Sequence, residues 1–231
     1  MERLLLWDID GTLIRGGGAV SEAYRKALRA VYRLEGDLAT IVYAGKTDGE
    51  IALETLARHG LAEEEVLCLL DSFRAAYVAE LEAVRGRIAA ELRVLPGVPA
   101  MLERLAGLAV HQTLLTGNFE PAARIKLSCG RLDHHFDFRI GAFGSDHRDR
   151  NCLVPVALEK AQRVHRARFS LSQVVVIGDT PRDIACARAA GVRVVTVATG
   201  TVTAAELAEH RPDALLQSLE DTEATLEAVL G

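Results

Sequence analysis

The chain has 231 residues, of which 49% are hydrophobic and 26% are charged, and its formal net charge is −5 at pH 7. This apolar fraction supplies a buried core and excludes a disordered chain, and the length suits one large domain or two modest ones. The acidic balance argues against broad electrostatic binding to nucleic acid or to an anionic membrane surface, and it leaves room for a small, locally positive phosphate site. We therefore expect neither nucleic acid nor a membrane as a partner.

Short β-type runs alternate along the chain with Ala-, Leu- and Arg-rich stretches of helical length. The predicted strands are residues 4–9, 110–116, 136–140, 174–178, 192–198 and 214–216. The predicted helices among them are residues 96–107, 120–130, 153–165, 182–190 and 203–210. Strands that are apolar almost throughout and alternate with helices indicate a parallel sheet covered on both faces. We predict an α/β fold with a Rossmann-like parallel sheet as its core.

One interval breaks this alternation, because about ninety residues follow the first strand without another convincing strand, far more than a usual crossover needs. Apolar side chains repeat at helical spacing within three stretches of this interval, residues 20–31, 51–59 and 66–81. We predict that residues 15–92 form an α-helical domain, inserted into a core made of residues 1–14 and 93–231.

The four cysteines lie far apart in the sequence, and no CxxC pair occurs. They are Cys68, Cys129, Cys152 and Cys186. This pattern is typical of reduced thiols in a cytoplasmic protein. The apolar run at the N-terminus is too short for a signal peptide, and no segment approaches the ~18 apolar residues of a membrane span. We expect a cytoplasmic location.

Polar side chains follow three of the predicted strands, at the edge where parallel sheets bind their ligands. They are Asp8, Asp10, Thr116, Gly117, Asn118, Asp179 and Asp183. Two unit charges at a separation of about 4 Å repel by about 4 kcal/mol at an effective dielectric constant of about 20, so acids that converge there need a cation. Carboxylate oxygens suit Mg²⁺, which also keeps waters and binds phosphate oxygens. The sequence predicts a Mg²⁺ site at this edge.

The order and spacing of these residues resemble the motifs of the haloacid dehalogenase (HAD) superfamily. Residues 8–12 read DIDGT and are similar to the first motif, Thr116 resembles the second, and residues 178–183 resemble the fourth. The resemblance covers nearly the whole chain and implies the HAD fold. The insertion directly after the first motif resembles the helical C1-type cap of the subgroup that includes phosphoglycolate phosphatase.

The resemblance implies a role for each matching residue. Asp8 would be the nucleophile that attacks phosphorus and becomes an aspartyl phosphate. Asp10 would protonate the leaving oxygen and then activate the hydrolytic water. The metal ligands would be Asp8, Asp10 through its backbone carbonyl, Asp179 and Asp183. The phosphate oxygens would be held by Thr116, Gly117 and Asn118.

The third motif departs from the family pattern. The family usually has a lysine at the start of the helix before the fourth motif, whereas the matching place here has Arg150. Arg150 is the first candidate for the phosphate-binding cation, and Lys160, within the following predicted helix, is the alternative. Either would neutralise phosphate charge, and an arginine can do so bidentately. A solvated arginine in the charged loop 146–150 is the third possibility.

Residues 45–47 read GKT and imitate the end of a nucleotide-binding P-loop. Position 40 is Thr where that motif requires Gly, so we reject a nucleoside triphosphatase. The run instead resembles the cap loop that faces the active site in phosphoglycolate-phosphatase-like enzymes. It implies that Lys46, Thr47 and Asp48 set substrate specificity, although Thr47 and Asp48 also suit the start of a helix.

Together these features predict a Mg²⁺-dependent phosphatase that hydrolyses a small phosphorylated metabolite, of the phosphoglycolate or sugar-phosphate type. Dehalogenases and phosphonoacetaldehyde hydrolases of the same superfamily generally lack the second aspartate of the first motif, so Asp10 favours phosphate-ester chemistry. A sugar phosphomutase stays open because it uses the same core residues, and so does a non-catalytic HAD-like binding domain. A monomer and a homodimer fit the sequence equally.

Overall fold

The computed structural model describes residues 2–35, 38, 41 and 43–231, and its centre is a parallel sheet of six strands. The strands, in chain order, are β1 (Arg3–Trp7), β2 (Ile14–Arg15), β3 (Arg93–Val94), β4 (Val110–Thr116), β5 (Ala142–Phe143), β6 (Val174–Gly178), β7 (Arg193–Val197) and β8 (Ala214–Leu216). The sheet runs in the order β5-β4-β1-β6-β7-β8, and its neighbouring strands are parallel. This order puts the ends of β4 and β6 on either side of the end of β1.

The sheet is buried on both faces because its strands are apolar at consecutive positions. In β1, Leu5 and Trp7 belong to one hydrophobic cluster, whereas Leu4 and Leu6 belong to another. Successive side chains of a strand point to opposite faces, so each cluster lies on its own side of the sheet. Burial of each such side chain contributes about 1.5–3 kcal/mol to the free energy of unfolding. The prediction of an α/β fold with a parallel core sheet is confirmed.

Helices cover both faces of the sheet. They are, in chain order, α1 (Gly18–Tyr32), α2 (Asp48–Ala57), α3 (Glu63–Cys68), α4 (Leu70–Ala83), α5 (Arg85–Glu91), α6 (Val98–Ala106), α7 (Glu120–Cys129), α8 (Leu153–His165), α9 (Pro181–Ala190), α10 (Ala204–Glu209) and α11 (Thr222–Leu230). Buried side chains of α6, α7 and α11 join the cluster on one face. Those of α8, α9 and α10 join the cluster on the other face.

The helical insertion, α1 to α5, leaves the sheet through β2 and returns through β3. These two short strands pair antiparallel, with Ile14 opposite Val94. Inside the insertion, the ring of Tyr24 contacts Phe73 and Tyr77 edge to face, with centroids 5.1 and 5.0 Å apart. The pair β2–β3 therefore lies at both ends of the stretch predicted as a separate helical domain.

The prediction of a strand at residues 136–140 is wrong. The chain makes a turn there, and the sheet resumes only in β5. The carboxylate of Asp137 accepts a hydrogen bond from the backbone N–H of Arg139 at 3.0 Å, and the Ile140 N–H donates to the carbonyl of Asp137. An aspartate that binds its own backbone two residues later favours a turn over a strand.

Smaller differences concern the helices. The periodic stretch 66–81 is divided at Leu69, where α3 ends and α4 begins, and α5 and α11 were not predicted. Thr40, on which the rejection of a P-loop depends, lies outside the described residues. Within the described part of the chain, no helix combines the length and the apolarity that crossing a bilayer requires. The four cysteines are free thiols.

Candidate active site

A pocket of about 540 Å³ lies between the helical insertion and the edge of the sheet where β1, β4 and β6 end. The sheet side contributes Asp8, Asp10, Thr116, Asn118, Arg150 and Asp179 to its wall. The insertion contributes Tyr24, Tyr43, Lys46, Asp48 and Tyr77. The pocket thus joins residues from the predicted motifs with residues from the predicted cap loop.

Three carboxylates meet at this edge of the sheet, of which Asp8 and Asp179 line the pocket and Asp183 is buried beneath its wall. Asp8 follows β1, Asp179 follows β6, and Asp183 lies in the first turn of α9. One oxygen from each lies within 4.8 Å of the others, and all three residues are buried. The start of α9 orients Asp183, because its Oδ2 accepts hydrogen bonds from the backbone N–H and the hydroxyl of Thr180, at 3.0 and 2.7 Å. Asp8, Asp179 and Asp183 are called the acidic cluster below.

The loop after β1 shapes the acidic cluster from the other side. The hydroxyl of Thr12 donates to Asp179 Oδ1 at 3.0 Å. Gly11 adopts a φ of +91°, and a β-carbon there would overlap the carboxylate of Asp179. Glycine meets both demands at once, since it tolerates positive φ and brings no side chain.

The acidic cluster carries more negative charge than the protein around it balances. Burial raises the pKa of Asp8 to about 6, although the charge of Arg150 opposes the shift. Burial, together with the charges of Asp8 and Asp183, raises the pKa of Asp179 to about 8. When all three carboxyl groups are ionised, as ligation of a metal ion requires, the single guanidinium leaves two negative charges, which one divalent cation would balance. The residues therefore fit a metal ion with oxygen ligands, such as Mg²⁺.

Arg150 is the cation of the acidic cluster. Its Nη2 lies 2.5 Å from Asp183 Oδ1 and 3.2 Å from Asp8 Oδ1, and its side chain is 4% exposed. Burial works to lower the pKa of Arg150, but the charges of Asp183 and Asp8 outweigh it and raise that pKa. The predicted alternative of a solvated arginine does not describe this buried position.

Lys160 is not brought to the pocket. Its Nζ donates to Asp146 Oδ2 at 2.6 Å and to the carbonyl of Gly141 at 2.8 Å, and it is absent from the pocket wall. Lys160 lies seven residues into α8, and a rise of about 1.5 Å per residue carries it roughly 10 Å beyond the start of that helix. The structure thus brings Arg150, and not Lys160, into contact with the acidic cluster.

The residues after β4 form the opposite side of the pocket. Thr116 is fully buried, and its hydroxyl oxygen accepts a hydrogen bond from Asn118 Nδ2 at 2.8 Å. The same Nδ2 lies 2.8 Å from Asp10 Oδ2. The Asp10 side chain is 44% exposed, so it borders the pocket, whereas the acidic cluster lies at its floor. The structure therefore brings Asp10, Thr116 and Asn118 together.

Lys126 joins this group and was missed by the sequence analysis. It lies on α7 with 5% exposure, and its Nζ is 2.7 Å from Asp10 Oδ2 and 2.6 Å from Asn118 Oδ1. Burial works to lower its pKa, but the charges of Asp10 and Asp48 outweigh it and raise that pKa. A sequence signal exists, because Lys126 follows Ala122 and Ala123 at helical spacing on an apolar face.

The loop before α2 docks on the residues after β4. The backbone N–H of Asp48 donates to the carbonyl of Gly117 at 2.8 Å, and Asp48 Oδ2 accepts from the backbone N–H of Phe119 at 2.7 Å. A β-carbon on Gly117 would overlap the carbonyl oxygen of Lys46, so only glycine allows this approach. Burial raises the pKa of Asp48 to about 6, while Lys126 opposes the shift.

The three predicted specificity residues have different surroundings. Lys46 and Asp48 line the pocket, and the ammonium of Lys46 pairs with Glu54. Thr47 caps α2, since its hydroxyl accepts from the backbone N–H of Glu50 at 3.1 Å, and the same hydroxyl donates to the carbonyl of Arg148 at 2.8 Å. Both predicted properties of this loop, helix capping and proximity to the site, occur together.

Sequence comparison relates this chain to known proteins of two kinds. The tyrosine-protein kinase PtkA of Mycobacterium tuberculosis is 28% identical over 200 residues, which are 86% of this chain and 62% of the kinase, so the chain spans less than two thirds of that relative. A phosphoglycolate phosphatase of Rhodospirillum rubrum is 28% identical over 211 residues, covering 87% of this chain and 81% of the phosphatase.

Solved structures share the fold. The crystal structure of a hydrolase from Pseudomonas syringae superposes with a TM-score of 0.69 at 21% identity, and the match covers 97% of this chain and 98% of that one. The family model of haloacid dehalogenase-like hydrolases matches residues 2–191. The chain belongs to the haloacid dehalogenase-like hydrolase family.

Proposed function

We propose that this protein is a Mg²⁺-dependent phosphatase, which hydrolyses a small phosphate monoester through an aspartyl phosphate on Asp8. The observation that carries the proposal is the acidic cluster, closed by Arg150 at the floor of a pocket that Asp10 borders. Family membership and the phosphoglycolate phosphatase relative support the reaction class.

Asp8 is the nucleophile in this proposal. An aspartate attacks phosphorus as the carboxylate, and Arg150, 3.2 Å away, favours the ionised form against the effect of burial. The attack forms a bond from a carboxylate oxygen of Asp8 to phosphorus and releases the alcohol. Asp8, Asp179 and Asp183, with the backbone carbonyl of Asp10, would hold the metal ion. Bound Mg²⁺ supplies positive charge to the carboxylates and to the phosphoryl oxygens.

The residues around Asp10 complete the reaction. Asp10 protonates the oxygen of the leaving alcohol and then takes a proton from the water that hydrolyses the aspartyl phosphate. Thr116 holds the phosphoryl oxygens through its hydroxyl, and Gly117 and Asn118 hold them through their backbone N–H groups. Such preorganised donors stabilise charge that develops in the transition state, because they need no reorientation when the reaction occurs.

Residues 15–92 act as the cap in this proposal, and they exclude water from the pocket. Lys46 and Asp48 line the pocket on the cap side, which supports a role in selecting the alcohol part of the substrate. We place the substrate among phosphorylated metabolites of the phosphoglycolate or sugar-phosphate type. The cytoplasmic location and the choice between monomer and homodimer stay predictions from the sequence.

The test is the release of inorganic phosphate from a panel of phosphorylated metabolites and from 4-nitrophenyl phosphate, with Mg²⁺ present. We expect activity that EDTA abolishes, that added Mg²⁺ restores and that Asp8→Asn reduces by at least about 10³-fold. An unchanged rate in Asp8→Asn refutes the proposal. Isomerised sugar phosphate without phosphate release identifies a phosphomutase instead.

A further inference from the structure

We propose that Lys126 is a positioning residue, which orients the carboxylate of Asp10 so that one chosen oxygen carries out the proton transfers. The inference rests on the proposed phosphatase function, in which Asp10 moves the proton. The motifs that form the site do not include this lysine, and its role follows from its contacts in the structure.

Two donors converge on a single oxygen of Asp10. Lys126 Nζ lies 2.7 Å from Asp10 Oδ2, and Asn118 Nδ2 lies 2.8 Å from the same atom. The two donors are themselves joined, because Lys126 Nζ donates to Asn118 Oδ1 at 2.6 Å. The three side chains form a closed ring of hydrogen bonds, so the rotation of each carboxylate or amide group is restricted by the other two.

The ring leaves the second oxygen of Asp10 for the reaction. In the described part of the chain, no hydrogen bond to Asp10 Oδ1 is found, and the Asp10 side chain is 44% exposed along the pocket wall. A general acid or base must keep the reacting oxygen within about 2.6–3.2 Å of the proton it transfers. With Oδ2 held by two donors, Oδ1 is the oxygen that faces the leaving group and, later, the water.

The burial of the Lys126 ammonium group reduces the stability of the folded protein, and a functional role would account for its presence. An ammonium removed from water costs several kcal/mol, and a pairing with a carboxylate offsets only part of this cost. The side chain lies on the apolar face of α7, where Ala122, Ala123 and Ile125 are also buried. A methionine of similar length would pack on this face without any charge. The carboxylate of Asp10, which borders the pocket, would then be hydrated, so the fold itself does not require the lysine.

The test compares leaving groups of different basicity, with the variants Lys126→Met and Lys126→Arg. A 4-nitrophenolate leaves without much help from an acid, whereas a 4-methoxyphenolate of similar size needs a proton. We expect Lys126→Met to reduce kcat/KM by at least about 30-fold for 4-methoxyphenyl phosphate and by less than about 3-fold for 4-nitrophenyl phosphate. Lys126→Arg should recover most of the lost rate, and thermal unfolding of Lys126→Met should differ little from that of the unmodified protein.

Two further measurements make the result specific. In the background of Asp10→Asn, the change Lys126→Met should add no further loss, because both act on one step. In a crystal structure of Lys126→Met, the Asp10 carboxylate should turn from its present orientation. Lys26→Met is the matched control, since Lys26 pairs with Glu80 at 2.8 Å on the surface of the insertion and should leave both rates unchanged.

Equal losses with both substrates, or no loss with either, would overturn the inference. If Lys126→Met unfolds below the assay temperature, Lys126→Gln replaces it in the same comparison. Failure of the parent proposal has a different signature, because it appears as activity that survives Asp8→Asn. An Asp8-dependent phosphatase that is indifferent to Lys126 refutes only the positioning role.

Discussion

The exchange of Arg150 for methionine removes the only positive side chain that the described residues place in contact with both Asp8 and Asp183. The side chain of Arg150 is 4% exposed, and those of Asp8 and Asp183 are 6% and 0% exposed, so water does not replace the lost guanidinium. Methionine preserves much of the side-chain length but offers no donor. In Mg²⁺-free protein the two carboxylates then face each other across a buried space without compensation.

The magnitude follows from this burial. Removing one partner of a buried ion pair costs about 3–5 kcal/mol, because the remaining charge is left desolvated and unpaired. For a chain of this length, a loss of 1 kcal/mol lowers Tm by about 2–4 °C, so Arg150→Met should lower Tm by roughly 6–20 °C. In the proposed mechanism the transition state needs the same cation beside Asp8, so a loss of about 3 kcal/mol there should reduce kcat/KM by at least about 100-fold.

The assay combines thermal and urea unfolding of the Mg²⁺-free protein with phosphate release in the presence of Mg²⁺. Lys160→Met is the comparison, because Lys160 is also bound to an aspartate, Asp146, but outside the pocket. Its side chain and that of Asp146 are 15% and 25% exposed, so water reaches the remaining carboxylate and the free energy of unfolding should fall by less than in Arg150→Met. If Lys160→Met loses more activity than Arg150→Met, the assignment of the third-motif cation is wrong.

Two further predictions concern the docking loop and the turn at 137–139. Gly117→Ala should reduce kcat/KM by about 10-fold or more, because its β-carbon displaces the Lys46 carbonyl. Gly86→Ala in α5 is the control, since a β-carbon there meets open space and should leave kcat/KM unchanged. Equal rates in both variants would contradict the docking geometry. The hydrogen bonds from Arg139 and His165 hold the pKa of Asp137 well below its usual range, so this stabilisation is present above about pH 4 and is lost as the pH falls further. Asp137→Asn should therefore lower the free energy of unfolding at pH 7 by about 0.5–1 kcal/mol, and urea unfolding should show that the difference shrinks towards pH 2.

Local sequence was sufficient for much of the core. The strands Val110–Thr116, Val174–Gly178 and Ala214–Leu216 and the helix Leu153–His165 have the predicted bounds. Val174–Gly178 and Ala214–Leu216 are short apolar runs bounded by polar residues, and Val110–Thr116 ends at Gly117. The buried positions of the helix repeat at helical spacing. The secondary structure of such segments can be predicted from their own residues, without knowledge of tertiary contacts.

The site also contains residues that local sequence predicts and one whose contacts it does not predict. Asp8, Asp10, Asp179 and Asp183 could be predicted because each follows or lies near a strand end, and parallel strands end at one edge. For Lys126, the helical spacing signals a buried position but not its contacts, since its partners Asp10 and Asn118 lie 116 and 8 residues away in sequence and no motif joins them. The three side chains meet only in the folded chain, where Lys126 on α7 contacts residues that follow β1 and β4.

The prediction of a strand at 136–140 was wrong although the local pattern was clear. Its alternation of Phe136, Phe138 and Ile140 with polar residues fits a strand, and all three apolar side chains are indeed buried. Burial alone does not require an extended backbone, and here the Asp137 carboxylate competes for the local N–H groups. A pattern of hydrophobicity therefore predicted the correct buried residues but the wrong backbone.

The short antiparallel pair β2–β3 has a consequence for the history of such a chain. Paired strands lie about 5 Å apart, so the two ends of the long insertion are neighbours in space. The entropic cost of closing such a loop grows by only about 0.6 kcal/mol for each doubling of its length. A tight hairpin turn between Arg15 and Arg93 would reconnect the sheet-bearing part of the chain without disturbing the register of its strands. Evolution can therefore exchange, enlarge or delete the inserted module while the catalytic framework keeps its shape, and new substrate ranges become accessible without a new fold.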